Sequence, residues 1–251
     1  MPTLLVLFAV LPFVYIAAPL VHMFGSVNGS EVLQSFSNQE VMQALLTSVV
    51  SACITTVLAL VFGLPTAFLL SLRSFPGKRL LEAILLLPML LPPVVGGIGQ
   101  LDLYGPNTGI GTFLGAHSVA LTNSVWGVVL AQTYITSPFM ILAAQAGFEE
   151  VPKELYEATR VLGGGMWNIF WQVSIPLTRA AIAAGVLLTF ARAIGEFGAT
   201  MIMAYHPYTI PVEIWVQFTS GGMAQIVPIA VVIVVFALLV AVTGSLSRHK
   251  A

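Results

Sequence analysis

The sequence predicts an all-α integral membrane protein of six transmembrane helices. Three observations lead there. Of the 251 residues, 58% are hydrophobic and 8% charged, with a mean hydropathy of +0.97. The apolar residues fall into six runs long enough to cross a bilayer, and the basic residues are confined to alternate gaps between them. A soluble domain carries roughly 25% charged residues, so a surface this apolar cannot be kept in water.

A spanning helix needs roughly 20 apolar residues. The first run, Leu4 to Phe24, follows Met-Pro-Thr with no basic stretch ahead of it, so it reads as a retained span rather than a cleaved signal peptide. The second, Val41 to Leu72, is longer than one crossing needs, which places its first turns in the interface or tilts the helix. The third, Leu80 to Leu101, contains Pro88, Pro92 and Pro93 followed by Gly96, Gly97 and Gly99. Proline removes a backbone donor and kinks a helix, and freed carbonyls at membrane depth need protein or a wet cavity to satisfy them. Two readings stand: a helix bent or broken beside a cavity, or a kinked helix end near the outer surface. The remaining runs are Thr122 to Ala146, Ala180 to Ala204 and Ile226 to Leu246.

The nine Lys and Arg residues set the orientation. Arg73, Lys78 and Arg79 follow the second run; Lys153, Arg160 and Arg179 lie between the fourth and fifth; Arg248 and Lys250 follow the sixth. These eight share one side if the spans alternate, and the opposite gaps (residues 25–40, 102–121 and 205–225) contain neither Lys nor Arg. The excess of basic residues in cytoplasmic loops then puts both termini in the cytoplasm of a multi-pass cell-membrane protein. A count of five or seven spans scatters the charges over both faces.

Composition also excludes whole classes. A net charge of -1 offers no basic footprint for nucleic acid. Cys53 is the only cysteine, and His22, His117, His206 and His249 are scattered, so neither a disulfide framework nor a metal-ligand spacing is present. No Gly-x-Ser-x-Gly, no His-Glu-x-x-His and no paired aspartates occur in the spans, which removes the grounds for an intramembrane enzyme. A self-contained channel or secondary transporter usually carries an internal repeat, and none is evident. No phosphate-binding loop occurs either, because Gly163-Gly164-Gly165 lacks the lysine.

The ninth basic residue, Arg192, lies inside the fifth run, 13 residues beyond Arg179 and four before Glu196. At about 1.5 Å per residue that is near mid-membrane, and the i, i+4 spacing puts both on one helical face. Ionisable residues there face a partner or a water-filled path. One reading is a path or gate element whose arginine favours a passing anion; the other is a neutralised pair that locks the fifth span to a neighbour. The residues favour the second, because a close Glu cancels much of the arginine's field. Thr133, Ser137, Thr189 and Thr200 are uncharged alternatives as path liners.

The segment from Gly147 to Thr178 is the longest on the basic side. Pro152 suits a first helical position, and Lys153 to Leu162 forms a helix stopped by three glycines, with Leu155, Ala158, Thr159 and Leu162 on one face. A second amphipathic stretch, Met166 to Val173, carries Trp167, Ile169, Phe170 and Trp171 and ends before Pro176. Exposed aromatics here read as a docking surface for a protein. They also read as interfacial helices with tryptophans at the headgroups, and on composition alone that reading is the stronger.

Spacing shifts that balance. Glu157-Ala158-Thr159, then Gly163, then Val173, Ile175 and Pro176 resembles the cytoplasmic signature of permease subunits of ABC-type importers. That signature is Glu-Ala-Ala, three residues, Gly, nine residues, Ile, one residue, Leu-Pro. Leu87-Pro88, Leu91 to Gly97, Ser137-Pro138-Phe139 and Phe190 to Thr200 extend the likeness toward the molybdate and tungstate branch, which is related to sulfate permeases.

The resemblance implies a single permease domain over residues 1–251 with the type I, MetI-like fold, and a coupling loop at 147–178. It implies contact with a separate ATPase through Glu157, Ala158, Thr159, Leu162, Gly163 and Pro176. Arg192, Gly195, Glu196, Thr200, Pro92 and Pro93 are the candidates for the pathway or gate. The resemblance further implies a homodimer in membrane lipid, two cytoplasmic subunits that bind ATP and Mg, an external solute-binding protein, and no cofactor or catalytic residue in this chain. The cargo is then molybdate or tungstate, with sulfate or thiosulfate as the alternative.

Overall fold

The computed structural model describes the backbone of residues 2–72 and 74–248 and the side chains of residues 6–72 and 74–238. Of the basic residues that set the orientation, Arg73, Lys250 and the side chain of Arg248 lie outside the described residues, as does His249. The described residues are helical, without strands.

α1 (Pro2–Gly25) is apolar all round and leaves Leu7, Phe8, Phe13 and Tyr15 exposed, as a helix facing lipid does. After a short α2 (Gly29–Ser37), α3 (Gln39–Leu72) runs for 34 residues, so the second run is one long helix and exceeds a bilayer crossing as expected. A stripe of small residues on α3, Ala44, Ser48, Ala52, Thr55, Ala59 and Gly63, is buried. Spaced three and four apart, they form one face that lets a second backbone approach closely, as membrane helices without a hydrophobic drive between them require.

α4 (Lys78–Leu90) and α5 (Pro93–Tyr104) meet at an angle of 109°. The third run is thus broken rather than kinked. The cause is local: Leu91 and Pro92 each precede a proline, and both adopt extended backbone (ψ 147° and 131°), since the following ring disfavours the helical conformation. Pro93 then starts α5, where its missing N–H is not needed. A short α6 (Gly109–Ala116) lies in the next loop, and α7 (Val125–Glu149) is the most buried long helix, packed along α3.

The loop beyond α7 begins with α8 (Lys153–Val161). It continues as α9 (Met166–Asn168), a π-helical turn at Ile169–Ser174 and α10 (Ile175–Leu177). The sequence reading ended this stretch before Pro176; instead the helix runs through it. Proline cannot donate to the preceding turn and its ring crowds the carbonyl four residues back, and the wider π turn just ahead accommodates that conflict. α11 (Arg179–Ile194) departs at 78° to this segment.

The fifth run is also broken, which the sequence reading missed. Gly195, Glu196 and Phe197 separate α11 from α12 (Gly198–Met203). Apolar residues continue across the break, so hydropathy alone does not register it. α13 (Ile210–Gly221) and α14 (Met223–Arg248) complete the chain. Among the described residues, three helices can cross a membrane by length and composition, up to five if each bent pair is one span, and the apolar segment Met223–Leu238 adds a shorter candidate.

The main core lies where α3, α7 and the α8–α10 segment converge. Phe68 packs edge-on against Phe148 (5.6 Å between ring centroids) and at a tilt against Phe170 (5.0 Å), with Met140, Ile141, Tyr156 and Ile169 buried around them.

Candidate functional site

Two places gather the residues singled out by the sequence. The first is the elbow made by α8. Of its side chains, Tyr156 is the buried one, so α8 turns the rest outward: Glu157 and Ala158 are exposed, Thr159 is half-buried, and Leu162 is 88% exposed. The helix ends in a Schellman turn. Gly164 donates to the Thr159 carbonyl (2.8 Å) and Gly163 to the Arg160 carbonyl (2.9 Å), with Gly163 at φ +83°. That left-handed backbone suits glycine, which has no Cβ to clash.

A clamp missed by sequence reading holds the elbow to the membrane helices. The Tyr156 hydroxyl donates to the Phe148 carbonyl of α7 (3.4 Å) and accepts from Ser174 Oγ in the π turn (3.2 Å). Ser174 is fully buried. Phe170 and Ile169 plug into the core beside it, whereas Trp167 and Trp171 are 70% and 58% exposed. The aromatics expected to be exposed therefore divide: the tryptophans face outward and Phe170 anchors. Pro176 stands on another element, α10, and is exposed there.

The second place is where the two broken helices meet. α12 packs on α5, and a Cβ added at Gly198 would lie 3.1 Å from Pro93 Cβ and from Val94. One added at Gly97 would lie 2.9 Å from the Ala199 backbone. Pro93 and Gly198 are thus brought together, with Pro92 exposed beside them.

At the same break, Arg192 Nη1 lies 2.6 Å from Glu196 Oε2. The contact is charge against charge rather than an aligned hydrogen bond, since the same oxygen has no partner by hydrogen-bond geometry. Arg192 is 32% exposed and Glu196 fully buried. Glu196 sits past the end of α11, not within it, and its Oε1 accepts from the Ala199 N–H at 2.9 Å, which caps the first turn of α12. Around this junction Thr133, Thr189 and Thr200 keep buried hydroxyls without a partner; Gly195 is exposed and Ser137 half-buried. Sequence reading passed over two buried amides, Gln100 and Gln132. Each has an unpartnered nitrogen, although Thr55 Oγ1 donates to Gln132 Oε1 at 3.2 Å. A glutamine on a small-residue face was the available signal.

A third feature was not anticipated. α2, the start of α3, α13 and the start of α14 line an open cavity of about 530 Å³ whose charged lining is Glu31, Glu40 and Glu213. Nearby, the Tyr208 phenol is pushed up to about 12 by burial, then by Tyr205 and by the charges of Glu213 and Glu40.

Residues 59–249 match the family described as binding-protein-dependent transport system inner membrane component. The chain is similar to a probable molybdenum ABC transporter permease protein of Haloferax volcanii, 46% identical over 198 residues that cover 79% of this chain and 72% of the relative. It is 34% identical to a molybdate/tungstate transport system permease protein of Thermococcus kodakarensis, covering 88% of this chain and 85% of that one. Among solved structures, a bacterial alginate ABC transporter in complex with its alginate pentasaccharide-bound periplasmic protein superposes with a TM-score of 0.72 at 17% identity. That match covers 99% of this chain and 93% of the other. The fold is thereby the type I, MetI-like permease fold expected from the motifs.

Proposed function

We propose, from the premise that this chain belongs to the family of binding-protein-dependent transport system inner membrane components, that it forms half of the path of an ATP-driven importer for molybdate or tungstate. A permease subunit of this kind is not itself an enzyme, and hydrolysis belongs to a partner ATPase. Residues 1–251 act as one permease domain of six spans, with both termini in the cytoplasm. Two copies enclose the path, two ATPase subunits sit below, and a soluble binding protein delivers the oxyanion from outside. Binding of ATP with Mg by the partner draws the two elbows together, and hydrolysis releases them, so the path alternates between the two faces of the membrane.

The observation that carries this reading is the elbow. An exposed Glu157-Ala158-Thr159 edge, ended by a glycine turn and clamped through Tyr156 to the membrane helices, is a rigid handle that a partner can grip and pull. Glu157, Ala158, Thr159, Leu162 and Gly163 make the contact, and Pro176 sets the π turn behind it. Pro92, Pro93, Gly195 and Thr200 flank the gate where the two breaks meet, and the Arg192–Glu196 pair holds that gate in register. Uncharged hydroxyls and amides suit the path itself, because a strong fixed cation would retain an anion that must leave.

The test is reconstitution. The chain co-purified with its ATPase and supplied with the binding protein in liposomes is expected to accumulate labelled molybdate on ATP, with tungstate competing and sulfate not. Glu157→Arg or Gly163→Trp is expected to lose the ATPase on purification. Uptake of substrate by this chain without any ATPase would reject the reading, and competition by sulfate alone would move it to the sulfate branch.

A further inference from the structure

We propose that the acidic cavity between α2, α3, α13 and α14 is a socket for a lysine or arginine side chain of the external binding protein. The inference rests on the importer reading, which supplies the partner.

Glu213 carries the argument. It is 1% exposed and lines the cavity; its Oε1 accepts from Gln217 Nε2 at 2.5 Å, while its Oε2 is buried without any partner. An ionised carboxylate held this way is costly unless a cation compensates it. Glu31 and Glu40 line the same cavity and add to the demand. Glu31 is partly engaged by Asn28, whose side-chain amide donates to it at 3.2 Å.

This chain does not meet that demand. Its outward segments, residues 25–40, 102–121 and 205–225, contain no Lys or Arg, and their only histidines are His117 and His206. A second copy presenting the same segments brings no such cation either. The oxyanion is repelled. A bare metal ion is poorly served, because among the described residues no three His, Cys, Asp or Glu side chains are grouped closely enough to share one. What fits is a single charge on a long stem. Val41, Val216, Pro228 and Ile229 give the cavity an apolar wall for the methylene groups, and Glu213 receives the charged end.

The socket explains how an anion importer tolerates an acidic outer face. Such a face disfavours free oxyanion near the mouth and attracts a basic partner that carries the oxyanion in a closed cleft.

The test uses the complete transporter in nanodiscs, with ATP hydrolysis followed while the molybdate-loaded binding protein is titrated in. Glu213→Gln and the surface variant Glu40→Lys are each expected to raise the half-maximal binding-protein concentration by about tenfold or more. The response of the wild type is expected to weaken with added salt, and that of the variants to change less. The amount of ATPase co-purified controls for folding. Unchanged half-maximal concentrations in both variants would overturn the socket, as would thermal stabilisation of the wild type by Ca or Mn that Glu213→Gln abolishes, or loss of the dimer in Glu40→Lys. Wild-type hydrolysis that no binding protein stimulates would instead remove the importer reading, and the socket with it.

Discussion

Arg192 and Glu196 touch at 2.6 Å across the end of α11, and the second oxygen of the same carboxylate holds the first turn of α12. One side chain thus neutralises a cation and caps a helix. Glu196→Gln keeps an acceptor for the Ala199 N–H, whereas Glu196→Ala removes it, so the alanine variant is expected to be less stable than the glutamine variant by about 1 kcal/mol. Arg192→Met strands a buried carboxylate and is expected to cost up to a few kcal/mol, reduced because the arginine is partly solvated. The Arg192→Met, Glu196→Gln double variant is expected to regain most of that loss. Thermal unfolding in detergent measures all four. A double variant that unfolds like the wild type yet transports poorly would assign the pair to the path instead.

Gly97 and Gly99 lie on the same helix but meet different surroundings. A methyl at Gly97 collides with the Ala199 backbone at 2.9 Å, while one at Gly99 meets nothing within 4 Å. Gly97→Ala is expected to destabilise by about 1–3 kcal/mol through overpacking of α5 on α12. Gly99→Ala is expected to be neutral or slightly stabilising. Equal melting temperatures for the two variants would contradict the packing described.

Tyr156 separates stability from coupling. Tyr156→Phe keeps the ring and loses the two hydroxyl contacts, a cost of about 0.5–1.5 kcal/mol. Tyr156→Ala empties a site beside Phe148 and Phe170 and is expected to cost about 3–5 kcal/mol. Because the hydroxyl ties α8 to both α7 and the π turn, the phenylalanine variant is expected to hydrolyse more ATP per ion transported. An unchanged ratio would show that the clamp transmits no force.

Tyr208 gives a pH test outside the spans. Burial, then Tyr205 and the charges of Glu213 and Glu40, push its phenol from the usual 10.0 up to about 12. A raised folded value means that stability from the neutral phenol is full below pH 10.0 and is lost as pH rises toward 12. Ultraviolet titration of tyrosinate is expected to show this late phase. Glu213→Gln, by removing one of the charges that raise it, is expected to move it down.

The sequence carried the elbow further than the junction of α5 with α12. The helix through Glu157 and its stop at Gly163 were legible because a motif fixes spacing, and spacing survives in one dimension; the helix running through Pro176 was not. The break between Leu91 and Pro93 was legible as a possibility, since consecutive prolines dictate backbone. The break at Gly195–Phe197 was not, because the apolar run crosses it and a lone glycine is tolerated inside membrane helices. Glu196 was visible as a charge but not as a cap. Gln100, Gln132 and Glu213 were invisible as unpartnered groups, because satisfaction of a polar atom is a property of neighbours distant in the chain. Tyr156 looked like one residue of an amphipathic turn until the fold brought Phe148 and Ser174 to it.

The abutment of α5 on α12 joins two discontinuities into one joint. Helices interrupted at different heights would bend independently, each absorbing strain locally. Here a proline-enforced corner bears on a glutamate-held corner with a glycine at the point of contact, so slack in one is taken up by the other. A tilt of either segment is thus expected to swing both, two arms on a common pivot.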